Sequence, residues 1–294
     1  MGQNSCGLAK EKEWMRLVRY GEVAAEKPGI LDNAGRIRDL SQQINDIGND
    51  VLTRQGLAKI AALDTNDLPL VSGQPRLGPC VAETGKILAI GLNYALHIAE
   101  TNSRKRDEPM LFQKATSAIS GPYDPIVRPK TSTKLDWEVE LAVVIGDRAL
   151  NITEAEAPNH IAGYCIINDV SERGYQADRS GQFTKGKSAD TFAPLGPWLV
   201  TSADVDDPNN LTLWTKVNGV QRQHGNTQDM ISQVYFLVSY LSEFMTLYPG
   251  DIIATGTPSG VGVGMSPQLF LQPGDTVEMG IDGLGQQRCE VVQG

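Results

Sequence analysis

Asp136-Trp137-Glu138-Val139-Glu140-Leu141-Ala142-Val143-Val144-Ile145 is the stretch that decides how this chain reads. Residues 141–145 form an uninterrupted apolar run of strand length, as expected of a strand buried on both faces. In a strand, residues i and i+2 share a face, so Glu138 and Glu140 project side by side while Val139 faces away. Two adjacent carboxylates at the end of a buried strand repel each other. Burial then raises their pKa values or calls for a cation. The same ten residues also describe a half-exposed strand with two solvated glutamates.

The next apolar run shifts the balance towards a cation. Tyr164-Cys165-Ile166-Ile167 leads into Asn168-Asp169, so an acid again closes a buried-looking strand. Three carboxylates at strand ends can surround one hard cation and leave positions open for water and substrate. Histidine is too scarce for the alternative: His97, His160 and His224 are the whole complement, with no HxH or HExxH spacing. A zinc site of imidazoles is therefore excluded, and oxygen ligands point to Mg²⁺ or Mn²⁺. Arg173 and Gln176 follow Asp169 at helical or turn spacing, placed to orient the acids or grip a substrate carboxylate. Either is also an ordinary surface residue.

Three more segments carry chemistry. His97 and Glu100 stand at i, i+3 in a predicted helix over 94–100, where a carboxylate would fix the imidazole tautomer and make it a base for water; the same spacing also describes a surface salt-bridging pair. The charged stretch 101–108 after it reads as a lid that orders on substrate. Lys187, in Gly186-Lys187-Ser188, would neutralise developing negative charge if it lay near the metal. Thr255-Gly256-Thr257-Pro258-Ser259-Gly260 lacks the Gly-Lys-Ser/Thr of a phosphate loop and the spacing of a serine-hydrolase elbow. It reads as a tight loop that offers N–H groups and the Thr257 hydroxyl to a small anion.

Around these motifs the chain is β-rich. Short apolar runs at 87–90, 161–167, 211–217, 252–254 and 277–279 are separated by Gly and Pro. Helical spacing is confined to 94–100, 152–159 and 230–244. This is an α+β pattern, without regular βαβ alternation. Upstream, residues 16–20 predict a strand, 29–40 a hairpin and 41–60 a helix broken near Gly48. The Pro- and Gly-rich stretch 63–83 is a linker or crossing segment. The expected division is a lead-in over 1–14 (with Met15 an alternative start), a small N-terminal α/β domain with its linker over 15–82, and a main domain over 83–294.

Composition narrows the function. A net charge of −9 and the absence of a basic stripe exclude a nucleic-acid binder, since Arg104-Lys105-Arg106 runs straight into Asp107-Glu108. No apolar run approaches the ~20 residues of a membrane span, and residues 1–14 lack the apolar core of a secretory signal. Four scattered cysteines without CxxC spacing predict neither disulfides nor zinc, and a reducing cytoplasm as the setting.

From residue 86 onwards the ordered set GLNYALHIAE, EPMLFQKATSAI, DWEVELAVVIG, INDVSERGYQ, KGKSADTFAPLGPW, VNGVQRQ and PGDIIATGTPSGVG resembles the fumarylacetoacetate hydrolase family. The opening RYGE, KPGILD and RIRDLS resembles bacterial members with a small N-terminal domain. Ala115 departs from the pattern, standing where members often carry proline. The resemblance implies a mixed β-sandwich roll, usually a homodimer, with Glu138, Glu140 and Asp169 on Mg²⁺ or Mn²⁺. It gives His97 and Glu100 the activation of water, and Lys187, Arg173, Gln176 and Thr257 the substrate. The activity expected is cleavage of the C3–C4 bond of a small 2,4-dioxo acid, an acylpyruvate or a 2,4-dioxo-3-deoxy sugar acid, through an enolate. The rivals are an oxaloacetate-type decarboxylase, a 2-hydroxyhepta-2,4-diene-1,7-dioate isomerase, a ureidoglycolate-lyase-like enzyme and, in another class, a metal-stabilised binding module without catalysis.

Overall fold

The computed structural model describes residues 14–294. The expected lead-in, Trp14 excepted, and Cys6 lie outside the described residues. The strands used below are, in chain order, β1 (Arg16–Tyr20), β2 (Lys27–Leu31), β3 (Ile37–Asp39), β4 (Ile87–Gly91), β5 (Met110–Lys114), β6 (Ile126–Arg128), β7 (Val139–Ile145), β8 (Ile161–Asn168), β9 (Ala193–Thr201), β10 (Thr212–Val217), β11 (Val220–Asn226), β12 (Ile252–Ala254), β13 (Thr276–Ile281) and β14 (Gly285–Gln293). The helices are α1 (Arg54–Ala61), α2 (Ala95–Glu100), α3 (Arg173–Ala177), α4 (Phe183–Lys187) and α5 (Val234–Phe244).

A ten-stranded mixed sheet runs β3-β2-β1-β9-β8-β7-β12-β4-β5, with the short strand Ile119–Ser120 paired to β9 off that path. A five-stranded sheet runs β11-β10-β13-β14-β6. This is a β-rich α+β fold, and the opening strands β1–β3 extend the main sheet across the division drawn at residue 82. Every residue of β7 and β8 is buried, which explains their unbroken apolar runs. Each buried Val, Leu or Ile contributes roughly 1.5–3 kcal/mol. That core offsets the cost of setting three carboxylates at its edge. β7 and β8 are antiparallel with Val139 opposite Asn168 and Glu140 opposite Ile167, so the acidic start of one strand meets the acidic end of the other.

Two predicted helices differ. Residues 152–159 form turns and a 3₁₀ segment, Ala157–His160, because Pro158 lacks an N–H and disfavours helical backbone before it. Residues 41–60 yield one turn, Asn49–Leu52, and α1, whose first residues are capped anew by the Thr53 hydroxyl accepting from Gly56 N–H. β9, with the sequence APLGPWLVT, is an interior strand despite its two prolines. Its ladder with β8 skips between Ile166↔Gly196 and Tyr164↔Val200, and Pro197, which has no N–H to donate, falls in that gap.

Candidate metal centre and active site

Glu138, Glu140 and Asp169 meet where β7 begins and β8 ends. Each offers an oxygen within 4.8 Å of the others, and all three are buried. The Asp169 N–H donates to the Glu138 carbonyl at 2.9 Å, which ties the two strand ends together.

Three buried cations surround the acids. Lys187 Nζ donates to Glu138 Oε2 and Asp169 Oδ2, both at 2.6 Å. Lys114 Nζ, at the end of β5, reaches Asp169 Oδ1 at 2.5 Å and the Val170 carbonyl at 3.3 Å. Arg173 divides its guanidinium: Nη2 donates to Glu138 Oε1 at 2.6 Å, Nε to Asp136 Oδ2 at 2.8 Å and Nη1 to Gln176 Oε1 at 3.1 Å. Glu140 differs from its neighbours, since among the described residues its Oε2 accepts the Gly256 N–H alone, at 2.8 Å.

The electrostatics follow from that asymmetry. Burial opposes charge on Glu138, but Lys187 and Arg173 outweigh it and hold the carboxyl well below the usual range. Burial together with the charges of Asp169 and Glu138 pushes Glu140 well above it. Burial also opposes the charge on Lys187, yet Asp169 and Glu138 raise its pKa; for Lys114 burial prevails and lowers it. Four acids, Asp136 included, face three cations, and every donor atom that the acids present is oxygen. A hard divalent cation fits this donor set, with Glu138, Glu140 and Asp169 as its ligands.

An imidazole–carboxylate pair stands beside the three acids. His97 Nδ1 pairs with Glu100 Oε1 at 2.8 Å, and Glu100 Oε2 accepts the Gly260 N–H at 2.8 Å. A carboxylate on Nδ1 leaves Nε2 as the proton acceptor. The helix that carries His97 is moored by Asn93, whose side-chain amide donates to the carbonyls of Ser232 and Thr255 at 2.9 and 2.8 Å. Gly256 adopts φ +99° against Asn93, where a Cβ would lie 2.8 Å from the Asn93 Cβ; only glycine allows the loop to pass there.

One cavity of about 210 Å³ is lined by Glu138, Glu140, Asp169, His97, Lys187, Arg173, Gln176 and Thr257. The structure thus brings eight of the nine residues singled out in the sequence to one space, and the ninth, Glu100, stands behind His97. Thr257 is differently employed than its hydroxyl suggested: Oγ1 donates its proton to the Val139 carbonyl at 2.9 Å and accepts from Gln223 at 2.7 Å. Lys114 and Asp136 escaped the sequence reading. Alternation held the signal for both: Met110, Phe112 and Lys114 share a strand face, and Asp136 precedes Glu138 by the step that pairs Glu138 with Glu140. Asp136 clamps the glycine loop, accepting from Gly262 N–H at 2.7 Å and Val263 N–H at 3.0 Å.

Among the described residues no helix is long and apolar enough to cross a membrane. Residues 86–292 match the family described as fumarylacetoacetate (FAA) hydrolase C-terminal. A Burkholderia orbicola protein with the provisional name of a hydrolase is 55% identical over 274 residues, 93% of this chain and 97% of that protein. Among solved structures, fumarylacetoacetate hydrolase from the psychrophile Exiguobacterium antarcticum superposes with a TM-score of 0.85 at 36% identity, covering 95% of this chain and 100% of the other. Maleylpyruvate hydrolase from Sphingobium, in complex with manganese(II) and pyruvate, gives 0.79 at 30% identity, with 95% and 100% covered. The 2-hydroxyhepta-2,4-diene-1,7-dioate isomerase from Mycobacterium marinum gives 0.71 at 35% identity, with 95% and 98% covered. By sequence, fold and the residues gathered in its cavity, this chain belongs to the fumarylacetoacetate hydrolase family.

Proposed function

We propose that this protein is a divalent-metal-dependent hydrolase that cleaves the C3–C4 bond of a small 2,4-dioxo acid. The observation that carries the reading is the joint presence, in one cavity, of three convergent carboxylates and a carboxylate-held imidazole. The Sphingobium hydrolase was solved with manganese and pyruvate, and pyruvate is what C3–C4 cleavage of an acylpyruvate leaves. Bound Mg²⁺ or Mn²⁺ would act as a Lewis acid on the 1-carboxylate and 2-oxo oxygens.

The protein's own groups supply the rest. His97 Nε2 takes a proton from water as the hydroxyl adds to C4, and Glu100 stabilises the imidazolium that results. The C3–C4 bond breaks, its electron pair passes into the 2-oxo group, and C3 is then protonated as pyruvate leaves beside a carboxylic acid. Lys187, kept charged by Asp169 and Glu138, adds positive charge next to the developing negative charge. Arg173 and Gln176 border the same space, with Arg173 anchored by Asp136.

The test is to strip the purified protein with a chelator, refill it with Mg²⁺ or Mn²⁺, and follow pyruvate release from acylpyruvates. Turnover that survives stripping refutes the metal dependence; no pyruvate from any acylpyruvate refutes the hydrolysis. The likeness to the M. marinum isomerase supports a second reading, isomerisation of a hydroxydienoate, which needs the metal but no attacking water. His97→Ala separates them: hydrolysis should fall by roughly 10²–10⁴, whereas isomerisation of a hydroxydienoate, like decarboxylation of oxaloacetate, consumes no water and should survive in part. We also read the protein as a cytoplasmic homodimer, supported by the family's habit and by free buried thiols at Cys80, Cys165 and Cys289; sedimentation analysis of the purified protein tests the dimer.

A further inference from the structure

The cavity lining changes character beyond the charged centre. Phe112 on β5 and Phe183 at the start of α4 meet edge to face, with ring centroids 5.4 Å apart and planes at 63°. Leu92 and Val263 continue this apolar surface. Both rings are only partly buried, so some of their carbon surface faces the open space. Lys187 Nζ lies 5.2 Å from the centre of the Phe112 ring, so the apolar wall starts at the catalytic centre itself. A ligand whose head was held by a cation on the carboxylates would have these rings beside its tail.

Among the described residues, the apolar part of the lining, Leu92, Phe112, Phe183 and Val263, offers no side-chain donor for a second charge. The lining cations are both committed, Arg173 to Asp136 and Glu138, Lys187 to Glu138 and Asp169. Thr101 Oγ1 donates to the His97 carbonyl at 2.8 Å and pairs with Ser103 Oγ at 2.9 Å, so the two hydroxyl protons are used within the protein. A buried carboxylate without a cation, or a polyol without donors, would be desolvated at a loss.

We infer that Phe112 and Phe183 determine specificity, and that the substrate tail beyond C4 is apolar and uncharged: an alkyl or aryl acylpyruvate in preference to a dioic acid or a sugar acid. This narrows the substrate class of the hydrolase reading above and rests on it for the head group. It also turns away from the sugar acids that the family resemblance left open beside the acylpyruvates.

Binding tests the tail without turnover. The full chain, loaded with Mn²⁺, is titrated calorimetrically with saturated 2-oxo acids from 2-oxobutanoate to 2-oxoheptanoate, and with 2-oxoadipate and 2-oxo-3-deoxygluconate. Affinity should rise about fourfold per added methylene, the equivalent of ~0.8 kcal/mol per buried CH₂. The six-carbon diacid and sugar acid should each bind at least tenfold more weakly than 2-oxohexanoate. Phe112→Ala and Phe183→Ala should flatten the series, and Phe183→Leu should keep most of it; Mn²⁺ affinity and circular dichroism monitor the fold of each variant. A flat series, absence of binding, or tighter binding of either polar analogue overturns the inference. Tighter binding of 2-oxoadipate would point instead to Arg104, Lys105 and Arg106, just past Ser103, as the grip on a second carboxylate. Pyruvate release is measured separately. A rising series without release sinks the hydrolase reading alone, and release with a preference for diacids sinks this inference alone.

Discussion

Two clusters in this molecule are built from the same materials, aspartate and arginine, to opposite ends. In the turn between β2 and β3, Asp32 Oδ1 accepts the N–H groups of Ala34 and Arg36 at 3.0 and 2.9 Å, and Oδ2 accepts Arg36 Nε and Arg38 Nε at 3.0 and 2.9 Å. Burial opposes its charge, but these donors outweigh burial and bring its pKa down to about 2. In the cavity, Arg173 and two lysines serve four acids, and Glu140 is left with a single amide and a raised pKa. A saturated carboxylate fastens a turn and has nothing further to bind. A carboxylate short of partners next to other acids is poised for a ligand that supplies the missing positive charge.

The largest break in that contrast should come from Glu140→Gln, which keeps the shape but removes the charge the metal needs. Mn²⁺ affinity and turnover should fall on the order of a thousandfold, the several kcal/mol expected of lost Lewis-acid stabilisation; a titration showing unchanged affinity would dismiss Glu140 as a ligand. Asp136→Asn leaves Arg173 and the Gly262 and Val263 amides with a weaker anchor. It should lower metal affinity or turnover by roughly 10–100-fold and global stability by about 3–5 kcal/mol, the cost of breaking a buried ion pair. Denaturant unfolding and kinetics on the same sample measure both, and a stability loss with intact kinetics would make Asp136 purely structural.

Protons should sharpen the comparison, because they act on the two clusters with opposite sign. Glu140 has a pKa raised above its ordinary 4.5. In metal-free protein its contribution to stability is therefore full below that value and is lost as pH rises through the raised pKa. Metal binding must displace this proton, so calorimetry in two buffers of different ionisation enthalpy should register its release, and affinity should weaken as pH falls. Absence of proton release would refute the assignment. Asp32, lowered from 3.8 to about 2, contributes fully above 3.8 and loses its contribution as pH falls towards 2. The smallest effect on catalysis belongs to Asp32→Asn, expected to lower stability by about 1–3 kcal/mol while kcat/KM per folded molecule stays within about twofold. A large kinetic loss would link the turn to the site.

Much of the site was legible because strand alternation and chain order are local properties. Glu138 and Glu140 announce a shared face, Asp169 closes an apolar run, and His97 and Glu100 keep helical spacing. Lys114 was hidden because a lysine at a strand end is usually solvated, and its buried partners, Asp169 and the Val170 carbonyl, are remote in sequence. The Thr257 hydroxyl was misjudged for a similar reason: Val139 and Gln223, which occupy it, lie far away along the chain. In the fold, β7 and β8 were plain from unbroken hydrophobicity, while β9 was masked by Pro194, Gly196 and Pro197, the last of which falls where the ladder skips. Residues 152–159 satisfied helical spacing but not the backbone demands of Pro158.

β12 sits between β7 and β4, and the loop that follows it delivers the Gly256 and Gly260 amides to Glu140 and Glu100. All three carboxylates of the cluster, its cations and the imidazole lie at or before residue 187, yet they belong to two pieces of sheet that only the later β12 joins. Competence is therefore acquired late in synthesis, when a three-residue strand slots in and both halves are aligned at once. A nascent fragment ending before residue 250 would hold eight of the nine residues singled out, Thr257 alone missing, and no continuous sheet to align them.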